Sequence, residues 1–361
     1  MTDDLVKKNA DCLDNVTGAL EWLNRPTDCD VPRPHPPRKA LMINVIVLTD
    51  RFRDVQPRIY HPATDKWYFL PATECQRLNM ELTRYSTVSC GGKVFFIASD
   101  IARSRCYDPD SNCWSSAPWK NKLPFSEGKP LVVKSQICFF VREISSTALW
   151  TFSLDSNSLT PLCKWVETAN FCAVAMDSYI YVIGGSVRRG CNLPGARTEC
   201  ARFHTEQNEW KKIAPLNEAR LNAFGACKND KIFIAGGSNF DLMMEINILK
   251  TCEVYDILID EWQCIARLTF ARSLGSMVLA DETLYVFGGR QTRATFRRRG
   301  KISDKVECYN PESNEWNFKA TVPVNKIPNM KRSFCDNYLN GCTLRVFKGV
   351  LTNLESIGES D

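Results

Sequence analysis

A basic run near the C-terminal end of the chain holds the side chains best suited to binding a partner. Residues 290–301 follow an apolar segment that ends in Gly288-Gly289, and they hold no acidic residue among six cations, which are Arg290, Arg293, Arg297, Arg298, Arg299 and Lys301. Guanidinium groups donate paired hydrogen bonds to carboxylates, so the run could recognise an acidic segment. A charge run on a loop can also simply be solvated, and the choice depends on the elements that hold the loop.

The aromatic cluster that follows the basic run is one of six. In each, Tyr or Phe stands seven residues before Trp, or before Leu in the third, and the pairs are Tyr60/Trp67, Tyr107/Trp114, Phe152/Leu159, Phe203/Trp210, Tyr255/Trp262 and Tyr309/Trp316. In the last three repeats a glycine pair precedes the ring at a fixed step of 52 residues, at Gly184-Gly185, Gly236-Gly237 and Gly288-Gly289. A period near 50 with Gly-Gly, Tyr and Trp in this order resembles the kelch repeat.

Each repeat alternates short apolar runs with turn residues, which predicts a four-stranded antiparallel blade. In the last repeat the predicted strands are SLGSMVLA, TLYVFGG, KVECYN and EWNFKA. The glycine pair suits a site of positive φ or close backbone approach, and the ring pair is expected to pack on the neighbouring blade. One blade cannot bury both its faces, so the blades must stack in a ring. We predict an all-β fold, a six-bladed kelch β-propeller preceded by a short α-helical segment.

Closure of the ring is predicted from the two ends of the repeat region. The first repeat has no room for a first strand, and the stretch beginning at Arg332 aligns without a gap on the one beginning at Arg272. We therefore expect the C-terminal strand to complete the first blade, which would hide two sheet edges. Residues 342–351 are left unplaced, and an incomplete seventh blade stays open. The first three repeats have Thr49-Asp50, Ala98-Ser99 and Arg142-Glu143 where the later ones have glycines.

The predicted organisation has four parts. Residues 1–24 carry apolar residues at helical spacing, and a Pro-rich linker covers 25–39. The propeller covers 40–350 and a tail 351–361. Seventeen cysteines without a CxxC or a secretory signal indicate free thiols in a reducing compartment, and four lie beside the repeat aromatics: Cys106, Cys200, Cys252 and Cys308. We expect a cytoplasmic protein without a membrane partner, with nuclear targeting by FRRRGK left open.

A helical end, a linker with PPRKALM and six kelch repeats together resemble the C-terminal half of BTB-BACK-kelch proteins, including the kelch-repeat-and-BTB-domain-containing subgroup. The resemblance implies a substrate adaptor of a cullin-3 ubiquitin ligase, in which the BTB part holds cullin-3 and the propeller captures the substrate. This sequence has no BTB domain and only a BACK-like end, so cullin-3 is expected only in a form with a BTB domain or through a partner. Fragment, shortened isoform and complete product all stay open. The alternative is a kelch scaffold, such as an actin-binding protein without ubiquitin transfer.

The meander fixes which loops share a face. Loops between strands two and three emerge together with the links between blades, and we call this side the loop face. The longest such loops belong to repeats four to six. The predicted partner-binding residues on this face, for a substrate protein with an acidic segment, are Arg84, Tyr85, Arg188, Arg189, Arg220, Phe240, Met243, Met244, Arg272, Arg290, Arg293, Phe296, Arg297, Arg298 and Arg299. The apolar members could instead fold back onto the propeller.

Catalysis is not expected. Copper radical oxidases with kelch propellers need imidazole ligands, and the chain has only three histidines, of which His35 lies in the linker. His61 and His204 take the turn position that Asp108 and Asp256 hold in sister repeats. No GxSxG, HExxH or phosphate loop is present, so we predict no enzyme activity, cofactor or metal. A net charge of only +5, with the basic residues at one rim, also argues against a nucleic-acid partner.

Overall fold

The computed structural model describes residues 42–50, 57–71, 85–98, 104–119, 126–142, 147–165, 168–187, 195–240, 245–292, 301–323, 339–347, 351 and 354. The predicted helical segment 1–24 and the linker 25–39 lie outside these ranges, as does most of the predicted tail, so those predictions stay open. Within the described ranges the regular structure is almost all β, without an α-helix. No helix there is long and apolar enough to span a membrane.

The strands form six blades in chain order. Blade 1 has β1 Met42–Asp50, β2 Arg58–His61 and β3 Lys66–Phe69; blade 2 has β4 Tyr85–Cys90, β5 Lys93–Ala98, β6 Arg105–Asp108 and β7 Cys113–Ser116; blade 3 has β8 Ser126–Val133, β9 Gln136–Arg142, β10 Thr147–Ser153 and β11 Ser158–Trp165. Blade 4 follows a link strand, β12 Thr168–Ala169, and has β13 Cys172–Met176, β14 Tyr179–Ile183, a loop strand β15 Ser186–Val187, β16 Cys200–His204 and β17 Glu209–Ile213.

Blade 5 has β18 Phe224–Lys228, β19 Lys231–Ala235, a loop hairpin of β20 Ser238–Phe240 and β21 Ile246–Ile248, then β22 Cys252–Asp256 and β23 Glu261–Ile265. Blade 6 has β24 Ser276–Ala280, β25 Thr283–Phe287, β26 Lys305–Asn310 and β27 Glu315–Thr321, and the last strand is β28 Leu339–Phe347. Each blade is an antiparallel four-stranded sheet. The innermost strands touch in the cyclic order β28, β4, β8, β13, β18, β24, so the predicted six-bladed propeller is confirmed.

The seven-residue spacing of the ring pairs is explained by the hairpin between the third and fourth strands. Its four-residue turn sets the two members directly opposite each other in all six blades, from Tyr60 and Trp67 to Tyr309 and Trp316, with Phe152 facing Leu159 in blade 3. Where both members are aromatic, the ring centroids lie 4.6 to 5.2 Å apart. The predicted packing on neighbouring blades is also present, since Tyr181 lies 6.3 Å from Tyr255 of the next blade.

The last residue of this turn also stabilises the ring pairs, and it was not predicted from the sequence. The last turn position is always Asp or Asn with φ between 49 and 56°, at Asp65, Asn112, Asn157, Asn208, Asp260 and Asn314. These residue types tolerate the left-handed region better than most. In four blades the tyrosine hydroxyl donates to this side chain, for example Tyr60 to Asp65 at 2.6 Å. The signal was present in the sequence as a constant Asp or Asn five residues after each ring.

The C-terminal strand closes the first blade. β28 pairs antiparallel with β1 over nine residues, from Met42 opposite Phe347 to Asp50 opposite Leu339. The described closing strand is therefore Leu339–Phe347, which includes residues that the alignment left unplaced. The reason is burial: Cys342, Leu344 and Val346 alternate into a buried cluster with Val45 and Val47 of β1.

Candidate functional site

The loop face is assembled where each blade link meets the loops of its neighbours. Leu221 of the link between blades 4 and 5 pairs with Ser238 of the blade 5 loop, and Ser273 pairs with Arg290 one blade further on. These links leave the outermost strand of one blade and enter the innermost strand of the next. The links and the long loops therefore share the face that the meander topology predicts.

The glycine pairs fix the roots of the long loops. Both members have positive φ in all three blades, for example 58° at Gly236 and 96° at Gly237. A Cβ at Gly184 would lie 2.5 Å from the Arg220 carbonyl oxygen, and one at Gly236 would lie 2.2 Å from that of Arg272. The prediction of positive φ or close approach is confirmed, and both reasons apply. The loops of blades 4 and 5 thus start from a backbone position that packs closely on the following link.

Arg220 and Arg272 do not belong to the exposed surface, so the prediction that they contact a partner is wrong. Both side chains are fully buried. Arg220 donates from Nη2 to Glu253 Oε1 at 2.6 Å and from Nη1 to the carbonyl oxygens of Gly236 and Thr251. Arg272 repeats this set one blade on, with Glu307 Oε1 at 2.5 Å.

The two carboxylates of these ion pairs were missed because they lie more than 30 residues beyond their arginines in the chain. The sequence nevertheless indicates the pairing when the positions of the arginine and the glutamate are compared between repeats. Where blades 5 and 6 have both Arg and Glu, blade 4 has neither, since Thr168 and Ala201 stand there. The two residue types are present together or absent together, as expected for a buried pair that must neutralise itself.

A hairpin projects from blade 5 on the loop face. In β20 and β21, Phe240 lies opposite Ile246 and Asn239 opposite Asn247. Phe240 is half-buried, whereas Ile246 is 42% exposed. Ile246 was not predicted as a contact, although its apolar side chain is the more accessible of the two.

A polar relay ties this hairpin to the buried ion pair. Asn247 donates to Asn239 at 3.2 Å, and Asn239 donates to Glu218 Oε1 at 3.3 Å. The other oxygen of Glu218 accepts from the Thr251 hydroxyl and from Arg220. The orientation of Phe240 and Ile246 is therefore set by side chains that reach down to the core.

The remaining predicted contacts divide into two groups. Tyr85 begins β4, and Arg290 is half-buried at a backbone bridge to Ser273 and Ile302. The amide of Gln291 donates to the Lys301 carbonyl at 2.7 Å and pins the two ends of the blade 6 loop together. The others lie outside the described residues and stay predictions: Arg84, Arg188, Arg189, Met243, Met244, Arg293, Phe296, Arg297, Arg298 and Arg299.

The four cysteines beside the repeat aromatics are free thiols in strands, as predicted. Burial raises the pKa of Cys106 to about 11 and the pKa of Cys200 and Cys252 to about 12, and it also raises the pKa of Cys308. Thiols with such pKa values stay protonated and unreactive near neutral pH. They act as small apolar side chains of the core.

The predicted turn role of the histidines is confirmed for His204. Its Nδ1 accepts from the backbone amides of Glu206 and Gln207, as Asp256 Oδ1 accepts from that of Leu258 in blade 5. Among the described residues, no group of three or more His, Cys, Asp or Glu is placed to hold a metal ion.

Comparison with known proteins agrees with the repeat geometry. A family model described as the Kelch motif matches residues 167–217, 219–269 and 271–323, which coincide with blades 4 to 6. These three segments of the chain are thus similar to the kelch repeat. The chain is similar to beta-scruin of Limulus polyphemus, with 26% identity over 184 residues that cover 50% of this chain and 20% of that protein.

Two further relatives carry the name Kelch-like. Kelch-like protein 25 of Xenopus tropicalis is 32% identical over 42% of this chain and 25% of its own length, and human Kelch-like protein 15 is 26% identical over 45% and 28%. The matches thus span between a fifth and little more than a quarter of these relatives. A solved structure of YjhT superposes with a TM-score of 0.57 and 12% identity over 79% of this chain and 99% of that one, which shows the fold alone.

Proposed function

We propose that this kelch-repeat protein is an interaction module that captures a protein partner on the loop face of blades 4 to 6. The observation that carries the proposal is the blade 5 hairpin, which holds Ile246 exposed and Phe240 half-buried on a root tied to a buried ion pair. A preorganised apolar anchor loses little conformational freedom on binding and can contribute more than about 2 kcal/mol at an interface centre. The anchoring of the hairpin therefore favours a binding role over simple solvation.

The basic loops on either side would select the partner. The blade 4 loop has Arg188 and Arg189, and the blade 6 loop has Arg293 and the run at 297–299. Exposed ion pairs contribute only about 0.2–1 kcal/mol each, but they speed and orient the encounter with an opposite charge. The partner is accordingly a protein with an acidic segment next to apolar residues.

We further propose that capture serves ubiquitin transfer. This finer assignment is supported by the resemblance to BTB-BACK-kelch adaptors and by the similarity to Kelch-like proteins 25 and 15. On this proposal, cullin-3 is reached only through a form with a BTB domain or through a partner that supplies one.

The test is proximity labelling and pull-down from cells that express the chain or one of three variants. Ile246→Asp removes the apolar anchor, and Asp at Arg293, Arg297, Arg298 and Arg299 reverses the basic run. Lys211→Asp with Lys212→Asp is the matched control, because both lysines are exposed on the outer edge strand β17. All variants are first compared by thermal unfolding.

Loss of the same partners in the first two variants, with retention in the control, is the expected result. An unchanged partner set in both would overturn the proposed surface. Cullin-3 among the retained proteins would support the ligase assignment, whereas partners without cullin-3 would limit the function to capture.

A further inference from the structure

An apolar turn stands out on the opposite side of the propeller. The turns between strands one and two and between strands three and four emerge there, and we call this side the turn face. In the turn between β22 and β23, Leu258 is 84% exposed and Ile259 is 56% exposed. Because these two side chains are exposed at the tip of a turn, they do not stabilise the fold through burial.

The other five blades show that the fold does not require apolar residues at these positions. The equivalent pairs are Ala63-Thr64, Asp110-Ser111, Asp155-Ser156, Glu206-Gln207 and Glu312-Ser313. The conformation of the blade 5 turn is stabilised by Asp256, which accepts a hydrogen bond from the Leu258 amide at 3.0 Å, and by Asp260, which adopts the left-handed region. The turn conformation therefore does not depend on the side chains of Leu258 and Ile259, and their exposure fits contact with a second molecule.

The surroundings of this apolar turn are acidic. In the turns of blades 4 to 6 and at the strand residues that border them, the basic residues are Lys228 and Lys231, which pair with Glu282 and Asp256. The acidic residues of the same positions, ten of them exposed, are Asp177, Glu206, Glu209, Asp230, Asp256, Asp260, Glu261, Asp281, Glu282, Glu312 and Glu315. Lys134 of the blade 3 turn pairs with Glu206, and Arg202 and Lys211 lie only two residues beyond these positions, so these three residues offset part of the charge. The occupant must therefore be basic as well as apolar.

The chain itself contains a segment with this chemistry. Residues 293–300 read RATFRRRG, with four arginines around one phenylalanine. We propose that the turn face of blade 5 docks residues 293–300 of a second copy, so that chains associate head to tail. The proposal rests on the same basic loop as the proposed function and names a second ligand for it.

The segment cannot reach this site in its own copy. Its flanks are pinned on the loop face by the bond between Gln291 and Lys301. A loop of about nine residues that leaves and returns to one point extends at most about 15 Å. The six residues of β26 alone separate the two faces of blade 6 by about 20 Å, and Leu258 belongs to blade 5. A contact of one face with the opposite face leaves a free site at each end of a dimer, so repeated docking adds further molecules until a ring closes or an open chain forms.

The test is sedimentation velocity of the purified chain up to about 200 µM, at about 50 mM and about 500 mM NaCl. We expect the average sedimentation coefficient to rise with concentration at low salt and to rise much less at high salt. Leu258→Ser with Ile259→Ser installs residues of the type that sister turns carry, so the fold should persist. This turn variant and a loop variant with Glu at Arg297, Arg298 and Arg299 should each weaken self-association by about tenfold or more. Asp155→Ser, at the same turn position in blade 3, is the matched control and should associate as the parent does.

Mixing the two defective variants gives the sharpest outcome. The turn variant retains its loop and the loop variant retains its turn, so an equimolar mixture should form a one-to-one dimer and nothing larger. A parent chain that stays monomeric at low salt would overturn the proposal, and so would a mixture without dimer. Because the turn variant keeps its loop face, it should still capture cellular partners, so failure of self-association is distinguishable from failure of the proposed function.

Discussion

At the scale of single residues, the buried ion pairs of blades 5 and 6 explain how the loop face is held. Placing Arg272 and Glu307 in the interior removes both charges from water, and their attraction offsets part of this cost when hydrogen bonds hold the charged groups in place. Arg272 donates from Nη2 to Glu307 and from Nη1 to the carbonyl oxygens of Gly288 and Lys305, whereas its buried Nε has no hydrogen-bond partner. Blade 4 forms the same frame with Thr168 and Ala201 at these positions. The blade therefore needs both charges or neither.

This pairing predicts strong coupling between the two positions. Glu307→Ala leaves the Arg272 charge uncompensated in the core and should lower the free energy of unfolding by about 3–5 kcal/mol. Arg272→Thr with Glu307→Ala copies the blade 4 combination and should cost at least about 2 kcal/mol less than the two single changes together. Urea denaturation of the four proteins measures the difference. Additive costs would show that the pair does not act as a unit.

The sequence was sufficient to predict the residues whose role depends on neighbours only a few positions away in the chain. The ring pairs and the glycines were predictable because a hairpin and a positive φ leave a mark at fixed short spacing, as at Tyr309 and Trp316. Arg220 was misassigned to the surface because its partner Glu253 lies 33 residues away, and only the fold brings the two together. From sequence alone, a charged residue in a link between blades is predicted to be exposed, because the sequence does not show the buried residue of opposite charge.

At the scale of elements, the links that carry the chain from blade to blade share one conformation. Asn170, Asn222 and Leu274 occupy the same link position, with φ of 58°, 54° and 60°. They are joined by backbone hydrogen bonds, from the Leu274 amide to Asn222 and from the Asn222 amide to Asn170. Asparagine tolerates this region, whereas leucine is strained in it by about 1 kcal/mol or more.

Leu274→Asn should therefore stabilise the propeller. Leu274 is only half-buried, so the relief of backbone strain should exceed the lost apolar contact and raise the free energy of unfolding by about 0.5–1 kcal/mol. Asn222→Leu, the reverse change in the neighbouring link, should destabilise by a similar amount. Thermal unfolding with both variants tests the pair, and a destabilised Leu274→Asn protein would contradict the strain argument.

The blade strands were predictable from alternation. In the last blade the third and fourth strands match the prediction to within one residue, whereas the first strand begins three residues later and the second ends two residues earlier than predicted. The closing strand was misplaced because the alignment followed the Arg-Ser start of a repeat, whereas burial follows Cys342, Leu344 and Val346. A strand that completes a distant sheet has no turn of its own to mark where it begins. Its register is set by β1, which the local sequence cannot show.

At the scale of the whole molecule, the ring is held shut by β1 and β28 without a covalent turn between them. Leu344 is almost fully buried in the cluster that β28 shares with blades 1 and 2. The same strand touches β4 on one side and β24 on the other. A destabilising substitution in β28 should therefore lower the stability of all the blades together.

Leu344→Asp places a carboxylate in this cluster and should cost at least the roughly 2–5 kcal/mol of a buried Leu→Ala change. Gln263→Asp, on the exposed outer strand of blade 5, is the control and should be nearly neutral. Hydrogen exchange should report faster opening in blade 4 as well as blade 1. Faster exchange confined to blade 1 would show that the blades unfold independently.

Closure by the last strand also imposes an order on synthesis. β1 leaves the ribosome nearly 300 residues before β28, which at about 5–20 residues per second is roughly 15 to 60 seconds. During this interval the inner edge of β1 lacks its partner and offers an unpaired strand edge to any nascent chain nearby. Assistance by chaperones should therefore be needed most before residue 339 has been translated, and polysomes that bring nascent chains close together are where this protein is most exposed to mispairing.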